Sequence, residues 1–232
     1  MARPIRLLPA GLCFHALSRG NRRAPVFTAP SDYDDFLELM CDAQQRLPLD
    51  VMAACLMPNH FHVVARSRGD GDLSRWMQWL LTKHGQRFNA YRGLSGHVWQ
   101  GRFKAFPIAT DEHLLRVLRY VERNALRAGL VERSREWPWG SLAWRSGSRG
   151  VDLAEPPCGL PPQWEAVVDE PMSLEELTAI RTAAARQRPF GPTEWSHDAA
   201  RACGLESSLR RRGRPRSEQP QRPLVRWAEK GD

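Results

Sequence analysis

The chain is poor in lysine and tyrosine, and it has no long apolar run. No apolar stretch approaches the roughly 20 residues a membrane-spanning helix needs. The basic start Met1-Ala2-Arg3-Pro4-Ile5-Arg6 is not followed by the apolar core of a secretory signal. A membrane partner is therefore not expected, and the expected location is the cytoplasm, beside the nucleoid. The five cysteines (Cys13, Cys41, Cys55, Cys158, Cys203) are scattered and form no CxxC pair. That excludes a disulfide framework and a zinc ribbon, and suits reduced thiols. Lysine occurs only at 83, 104 and 230, yet Lys plus Arg number 34 against 26 Asp plus Glu, a net charge of +8. A basic excess of this size points to a polyanion, with nucleic acid the default. The preference for arginine fits both GC-rich coding and the planar, bidentate grip of guanidinium on phosphate. Tyrosine occurs only at 33, 91 and 120, so any tyrosine chemistry has three candidates.

What is present is enough for a packed domain: 232 residues, 42% of them hydrophobic. The stretch Met57-Pro58-Asn59-His60-Phe61-His62-Val63-Val64 is its most distinctive part. Residues 11–18 read as a first strand, followed by the basic turn Arg19-Gly20-Asn21-Arg22-Arg23, either a solvated loop or a phosphate contact. Ser31-Asp32-Tyr33-Asp34 has the form of a capping box, and Phe36, Leu37, Met40, Ala43 and Leu47 recur at helical spacing behind it. Leu49 to Met57 and the histidine run are split by Pro58-Asn59, two turn formers, which predicts an antiparallel hairpin. A second helix is expected over Asp72–Tyr91, with Leu73, Trp76, Met77, Leu80, His84 and Phe88 as its buried stripe. A fourth strand is expected at 102–108, on a sheet edge because of Pro107, and a third helix over Asp111–Ala128.

The order strand, helix, strand, strand, helix, strand predicts an α+β fold. It is the ferredoxin-like split βαβ pattern, an antiparallel sheet with helices on one face. Residues 1–145 are expected to form this domain. Residues 146–232 are expected to be a linker and a mostly helical or irregular basic extension that binds DNA. Within it, 146–172 read as linker, and Ser173 to Arg188 as a capped amphipathic helix. Trp137-Pro138-Trp139 and Trp144 either plug the end of the core or stack on bases.

Strand side chains alternate faces, so His60 and His62 point one way and Phe61 points into the core. Two imidazoles on one strand face suit a divalent metal. Tyr120 and Asn124, spaced i, i+4, are neighbours on one flank of the third helix. Asn124 offers a neutral carbonyl oxygen as a third ligand. A His-His-Asn set with open positions suits Mg²⁺ or Mn²⁺ held jointly with a substrate phosphate. Tyr120 is then a candidate nucleophile on a DNA phosphodiester, giving a 5′-phosphotyrosine and a free 3′-hydroxyl with no nucleotide cofactor. The same four residues are open to a plainer reading, a buried strand and a half-buried packing tyrosine.

At these residues the sequence resembles a known family. His60-Phe61-His62 looks like the HUH signature, and Arg119-Tyr120-Val121-Glu122-Arg123-Asn124-Ala125-Leu126-Arg127 resembles the single-tyrosine motif of HUH transposases. The REP-associated tyrosine transposases, relatives of insertion-sequence transposases, are the most similar. Met57-Pro58-Asn59, Trp99-Gln100-Gly101-Arg102-Phe103-Lys104, Trp137-Pro138-Trp139, Pro189-Phe190-Gly191, Gly204-Leu205-Glu206-Ser207 and Arg212-Gly213-Arg214-Pro215 also match, in the family's order. The resemblance implies a ferredoxin-like nuclease domain with Tyr120 as nucleophile and His60, His62 and Asn124 as metal ligands. It further implies single-stranded, hairpin-forming substrates such as repetitive extragenic palindromes (REPs). The family motif has proline where Ala125 stands, and its loss is expected to lengthen the third helix slightly. Expected DNA contacts are Arg19, Arg22, Arg23, Arg102, Lys104, Arg127, Arg212, Arg214 and Arg216. The last three lie in a stretch that looks like the core of an AT-hook, or simply a basic tail. Whether the protein is a monomer or a homodimer is open. The competing readings are a non-catalytic hairpin-binding regulator, a relaxase or replication initiator, and an unrelated zinc protein.

Overall fold

The computed structural model describes residues 7–147 and 150–210. Four strands make one sheet: β1 (Cys13–Arg19), β2 (Asp50–Met57), β3 (His60–Arg66) and β4 (Lys104–Ile108). Their order is β2-β3-β1-β4 and every pairing is antiparallel. The two central strands are thus β3 and β1, the first carrying the histidines. Met57 pairs with His60 across Pro58-Asn59, so the two-residue hairpin forms where the turn residues demand it.

Helix α1 (Pro30–Arg46) follows β1, and α2 (Asp72–Arg92) follows β3. The N-terminal cap of α1 is built differently from the expected Ser31 box. Pro30 opens the first turn, and the Asp32 carboxylate reaches back to the Thr28 and Ala29 N–H groups at 2.7 and 3.0 Å. Proline fits there because the first-turn N–H has no intrahelical partner anyway. Arg92, at the end of α2, donates to the same carboxylate at 2.8 Å.

Helix α3 (Glu112–Glu122) follows β4. The expected single helix over 111–128 is instead interrupted at Arg123, and α4 (Asn124–Arg127) continues as one short turn. Arg123 sits at φ −82° and ψ 0°, the bridge region that flattens a helical turn. The break therefore comes before Ala125, and an alanine in place of the family's proline does not lengthen α3.

Pairing across the sheet assigns the two faces. Phe14, Phe61 and Val63 face α1 and α2, where Phe61 packs on Phe36 with ring centroids 4.8 Å apart. His15, His62 and Phe106 face the other way, towards α3. The two crossover helices share one face as expected, whereas α3 lies on the opposite face. The sheet is therefore buried on both sides, and Phe14, Phe61, Val63, Val64 and Phe106 are all wholly inaccessible.

Both sheet edges are covered by later chain, which protects exposed strand groups from non-native pairing. Along β2, Leu56 N–H donates to Trp139 O at 2.9 Å, and the Trp137 indole donates to Leu56 O at 2.8 Å. The Trp-Pro-Trp segment and α5 (Ser141–Trp144) therefore plug the core, with Trp137 and Trp144 buried. Along β4, Phe190 N–H donates to Pro107 O and Ala109 N–H donates to Phe190 O. Pro107 does mark an edge, and residues 189–191 close it. Gly191 permits the approach, since a Cβ there would meet Trp195 at 2.5 Å and Ala109 at 2.7 Å.

The stretch 146–172 is not only linker. It contains α6 (Trp164–Asp169), with Trp164 and Val168 buried. Helix α7 (Leu174–Arg186) is capped as expected, Ser173 Oγ accepting from Glu176 N–H at 3.1 Å. Helices α8 (Thr193–Cys203) and α9 (Glu206–Leu209) complete the described chain. Val151, Trp164, Val168, Met172 and Ile180 join the same hydrophobic core as the sheet. No helix among the described residues is long and apolar enough to cross a membrane.

Candidate active site

The site lies on the α3 face of the sheet, at the hairpin end of β3. A cleft of about 510 Å³ there is lined by Arg19, His60, His62, Gln100, Lys104, Tyr120, Asn124, Arg127 and Arg181, with small or apolar residues between them. The four side chains expected to act together therefore do converge. The two histidines come from one strand face, and Tyr120 and Asn124 from the junction of α3 and α4.

The His60 tautomer follows from its neighbours. Asn59 Nδ2 donates to Arg23 O, which leaves Oδ1 as the acceptor facing His60 Nδ1 at 2.7 Å. His60 must then carry its proton on Nδ1 and keep a lone pair on Nε2. His62 Nδ1 lies 2.8 Å from His15 Nε2. His62 Nε2 keeps a lone pair in the tautomer that donates from Nδ1 to His15, whose own Nδ1 is buried without a partner. A metal-binding histidine is held in this way by a partner on its other nitrogen. The rings of His60 and His62 are 4.9 Å apart and nearly perpendicular.

Both imidazoles are kept neutral, as ligation requires. Burial pushes His60 down to about 4, helped by the positive charges of Arg19 and Arg127. Burial also holds His62 well below its ordinary range, with His60, His15 and the two arginines adding to the effect. His15, wholly buried, is pushed down to about 3 by burial and then by His60.

Asn124 is 1% exposed. Its Oδ1 accepts from Arg127 at 2.5 Å, and its Nδ2 is buried without a partner. An amide oxygen has two lone pairs, so one remains for a cation. Among the described residues, no group of three or more His, Cys, Asp or Glu side chains could hold a metal ion. The donor set that fits a divalent cation is therefore two imidazole nitrogens and one amide oxygen. It is a neutral set, with positions left for phosphate oxygens or water.

Tyr120 stands edge-on to His62 and His15, with ring centroids 5.9 and 6.2 Å away. The Arg127 guanidinium lies over its ring at 5.3 Å. Arg127 thus touches both the candidate nucleophile and the candidate third ligand.

The basic candidates divide into groups. Arg19, Lys104 and Arg127 line the cleft. Arg22 and Arg23 are exposed on the turn after β1 and do not line it, nor does exposed Arg102. Both turn arginines have left-handed φ, 54° and 63°, an uncommon state for arginine. The turn is pinned by Gly20 N–H to Asn59 O and by Asn59 Nδ2 to Arg23 O. Arg212, Arg214 and Arg216 lie outside the described residues. Two cleft residues, Gln100 and Arg181, and buried His15 behind the cleft were not among the expected site residues. His15 alternates in phase with the strand face that meets His62, and pairing in register would have found it. Gln100 is placed by its own N–H, which donates to Arg19 O at 2.7 Å. Arg181 comes from α7 and has no local signal.

Residues 10–124 match the family model described as "Transposase IS200 like", a span that includes His60, His62, Tyr120 and Asn124. The chain belongs to this family of transposases. Among individual proteins it is similar to a REP-associated tyrosine transposase of Haemophilus influenzae (strain Rd). The two are 26% identical over 143 residues, which is 57% of this chain and 80% of that protein. The solved structure of a REP-associated tyrosine transposase bound to a REP hairpin shares the fold. Its TM-score is 0.51 at 20% identity, covering 70% of this chain and 98% of that one.

Proposed function

We propose that this chain is a metal-dependent, single-strand DNA endonuclease and strand transferase that acts on hairpin-forming palindromic repeats. The observation that carries this reading is the convergence of Tyr120, His60, His62 and Asn124 in one cleft. Among the described residues, that cleft is lined by four cations (Arg19, Lys104, Arg127, Arg181) and by no acidic residue. Such a lining favours a phosphodiester over a neutral substrate.

In the proposed reaction the Tyr120 hydroxyl attacks a DNA phosphorus. The bond from phosphorus to tyrosine oxygen forms and the bond to the 3′-oxygen breaks. The proton lost from tyrosine is matched by the proton gained on the departing 3′-hydroxyl. The 5′-phosphotyrosine so formed is a phosphodiester like the one cleaved. A second 3′-hydroxyl can therefore displace Tyr120 and rejoin the strand with no nucleotide cofactor. His60, His62 and Asn124 would hold Mg²⁺ or Mn²⁺, which when bound supplies Lewis-acid polarisation of a phosphoryl oxygen. Arg127 lies over the Tyr120 ring, where its guanidinium can also meet a phosphate that the tyrosine attacks. Arg19 and Lys104, which line the same cleft, would offset charge on the scissile phosphate.

The relatives named for REPs, one of them bound to a REP hairpin, support hairpin DNA as the partner. The test is to incubate the protein with labelled hairpin oligonucleotides and Mn²⁺ and to look for a covalent protein–DNA band. The expected result is a band from the native chain and none from Tyr120→Phe. Absence of a band with every native palindrome would leave a hairpin-binding protein without this chemistry. A full band from Tyr120→Phe would remove the tyrosine from the reaction.

A further inference from the structure

Helix α7 lies beyond the matched residues 10–124, yet it lines the same cleft as the histidines. Ile180 and Ala183 are buried on one side of α7, inaccessible and 3% exposed. Arg181, Ala184 and Ala185 take the adjoining flank, which lines the cleft. Positions 181, 184 and 185 are one turn apart and so share a surface.

The chain fixes α7 at both ends. On its N-terminal side, Arg119 and Arg123 flank Tyr120 on its own helical segment and hold the incoming backbone. Arg119 donates to the Glu170 and Pro171 carbonyls at 2.9 and 3.1 Å, and Arg123 to the Asp169 carbonyl at 3.4 Å. On its C-terminal side, Phe190 is bonded into the edge of β4 and its ring meets His113 with centroids 5.1 Å apart. The orientation of α7 is thus tied to the helix that carries the candidate nucleophile.

Arg181 is exposed, and among the described residues it has neither a hydrogen bond nor an ion pair. Two other arginines of the extension differ in this. Arg201 on α8 is paired with Asp198, and Arg186 on α7 donates to the Arg210 carbonyl. A guanidinium held over a cation-lined cleft and left uncompensated is placed for an anion that arrives with the substrate.

We propose that α7 is the second wall of the DNA cleft, and that Arg181 grips a backbone phosphate of the single strand beside the one Tyr120 attacks. The inference rests on the cleft being the DNA site. It adds that the C-terminal extension takes part in positioning the strand through this one residue, independently of the basic tail. Arg181 is a positioning residue, acting on where the strand lies and not on the bonds that change.

The test measures binding in the absence of cleavage. In a Tyr120→Phe background, the affinity of the full chain for a hairpin oligonucleotide with a single-stranded 5′ extension is measured across a salt series. One phosphate contact to a single strand contributes about 0.7 to the slope of log affinity against log salt. Arg181→Ala is expected to lower the slope by about that amount and to weaken binding about fivefold at 0.1 M salt. Arg181→Lys, which keeps the charge, is expected to restore most of the slope. Arg201→Ala removes one positive charge from the same extension outside the cleft and is expected to leave the slope unchanged. Thermal melts confirm that each variant is folded. An unchanged slope in Arg181→Ala overturns the proposal, and so does an equal drop in Arg201→Ala, which would show only a diffuse charge effect. If the Tyr120→Phe chain binds the oligonucleotide no better than an unrelated basic protein, the DNA reading of the cleft fails and takes this inference with it. If that chain binds well and only the Arg181 effect is missing, this inference alone fails.

Discussion

Glu122 provides a stringent test of how the tyrosine helix is held. Its side chain is wholly inaccessible. Its carboxylate accepts from Ser141 Oγ at 2.6 Å, from Arg145 Nε at 3.0 Å and from the Trp164 indole at 2.6 Å. Arg145, 17% exposed, also donates to Met52 O at 2.6 Å. One carboxylate thus ties α3 to α5, to α6 and, through Arg145, to the edge strand β2. Glu122→Leu removes it and leaves a mostly buried guanidinium without a counter-charge, at a cost of about 3–5 kcal/mol. The orphaned indole N–H adds about 1–3 kcal/mol. The two costs are not independent, so the expected loss is about 4 kcal/mol, or roughly 8–16 °C in Tm for a chain of this size. Glu122→Gln keeps an acceptor for Ser141 and Trp164 and is expected to cost less than half as much. The double variant Glu122→Leu, Arg145→Leu is expected to be more stable than the sum of the two single losses, because no charge is stranded. Urea denaturation of the parent, Glu122→Leu, Glu122→Gln, Arg145→Leu and the double variant measures this. A Glu122→Leu chain within 1 kcal/mol of the parent, or strictly additive losses, would refute a charged carboxylate as the anchor.

Two further predictions follow from the buried histidines. His15→Ala removes the hydrogen-bond partner of His62 Nδ1 and should lower Mn²⁺ affinity by about 10–100-fold with the proposed ligands intact; an unchanged affinity in calorimetric titration would show that His15 only fills space. His84 is 5% exposed among Phe27, Phe36, Phe88 and Trp99, and burial pushes it down to about 4. Its folded value lies below its unfolded one, so the unfolded chain takes up a proton first as pH falls. The stability it contributes is complete above about 6.5 and lost as pH drops towards 4, on the order of 2–3 kcal/mol. His15 acts in the same direction. Urea midpoints that stay flat between pH 7 and 4.5 would refute it.

The sheet and most of the site were legible because their signals are local. Alternation along His60-Phe61-His62 assigns faces, Pro58-Asn59 places the hairpin, and Pro107 marks an edge. The i, i+4 spacing of Tyr120 and Asn124 survives the break at Arg123, since one turn of helix resumes at once. The parts that stayed hidden depend on contacts distant in sequence. His15 meets His62 across 47 positions, and nothing near His15 distinguishes it from a buried strand histidine until the register is known. The face taken by α3 follows from which side of the sheet α1 and α2 fill, a choice that helical periodicity does not encode. Trp164 and Val168 looked like linker because Gly and Pro surround them; their burial depends on Glu122 and the core, far upstream.

The same alternation ties the precision of the site to the core. His60 and His62 flank Phe61, which is inaccessible and packed against Phe36 and Trp99. Tyr120 lies between Arg119, which grips the backbone before α7, and Val121, which is inaccessible. Asn124 lies between Arg123, bonded to the Asp169 carbonyl, and inaccessible Ala125. Each candidate functional side chain thus has a neighbour in sequence fixed on the opposite or adjoining surface, with little freedom to drift. A change at Phe61 or Ala125 would be felt at the histidines or at Asn124 through the backbone. Loss of activity in such a variant would therefore say nothing about chemistry. Only substitutions that keep the core, such as Tyr120→Phe and Arg181→Lys, separate what the site does from what holds it in place.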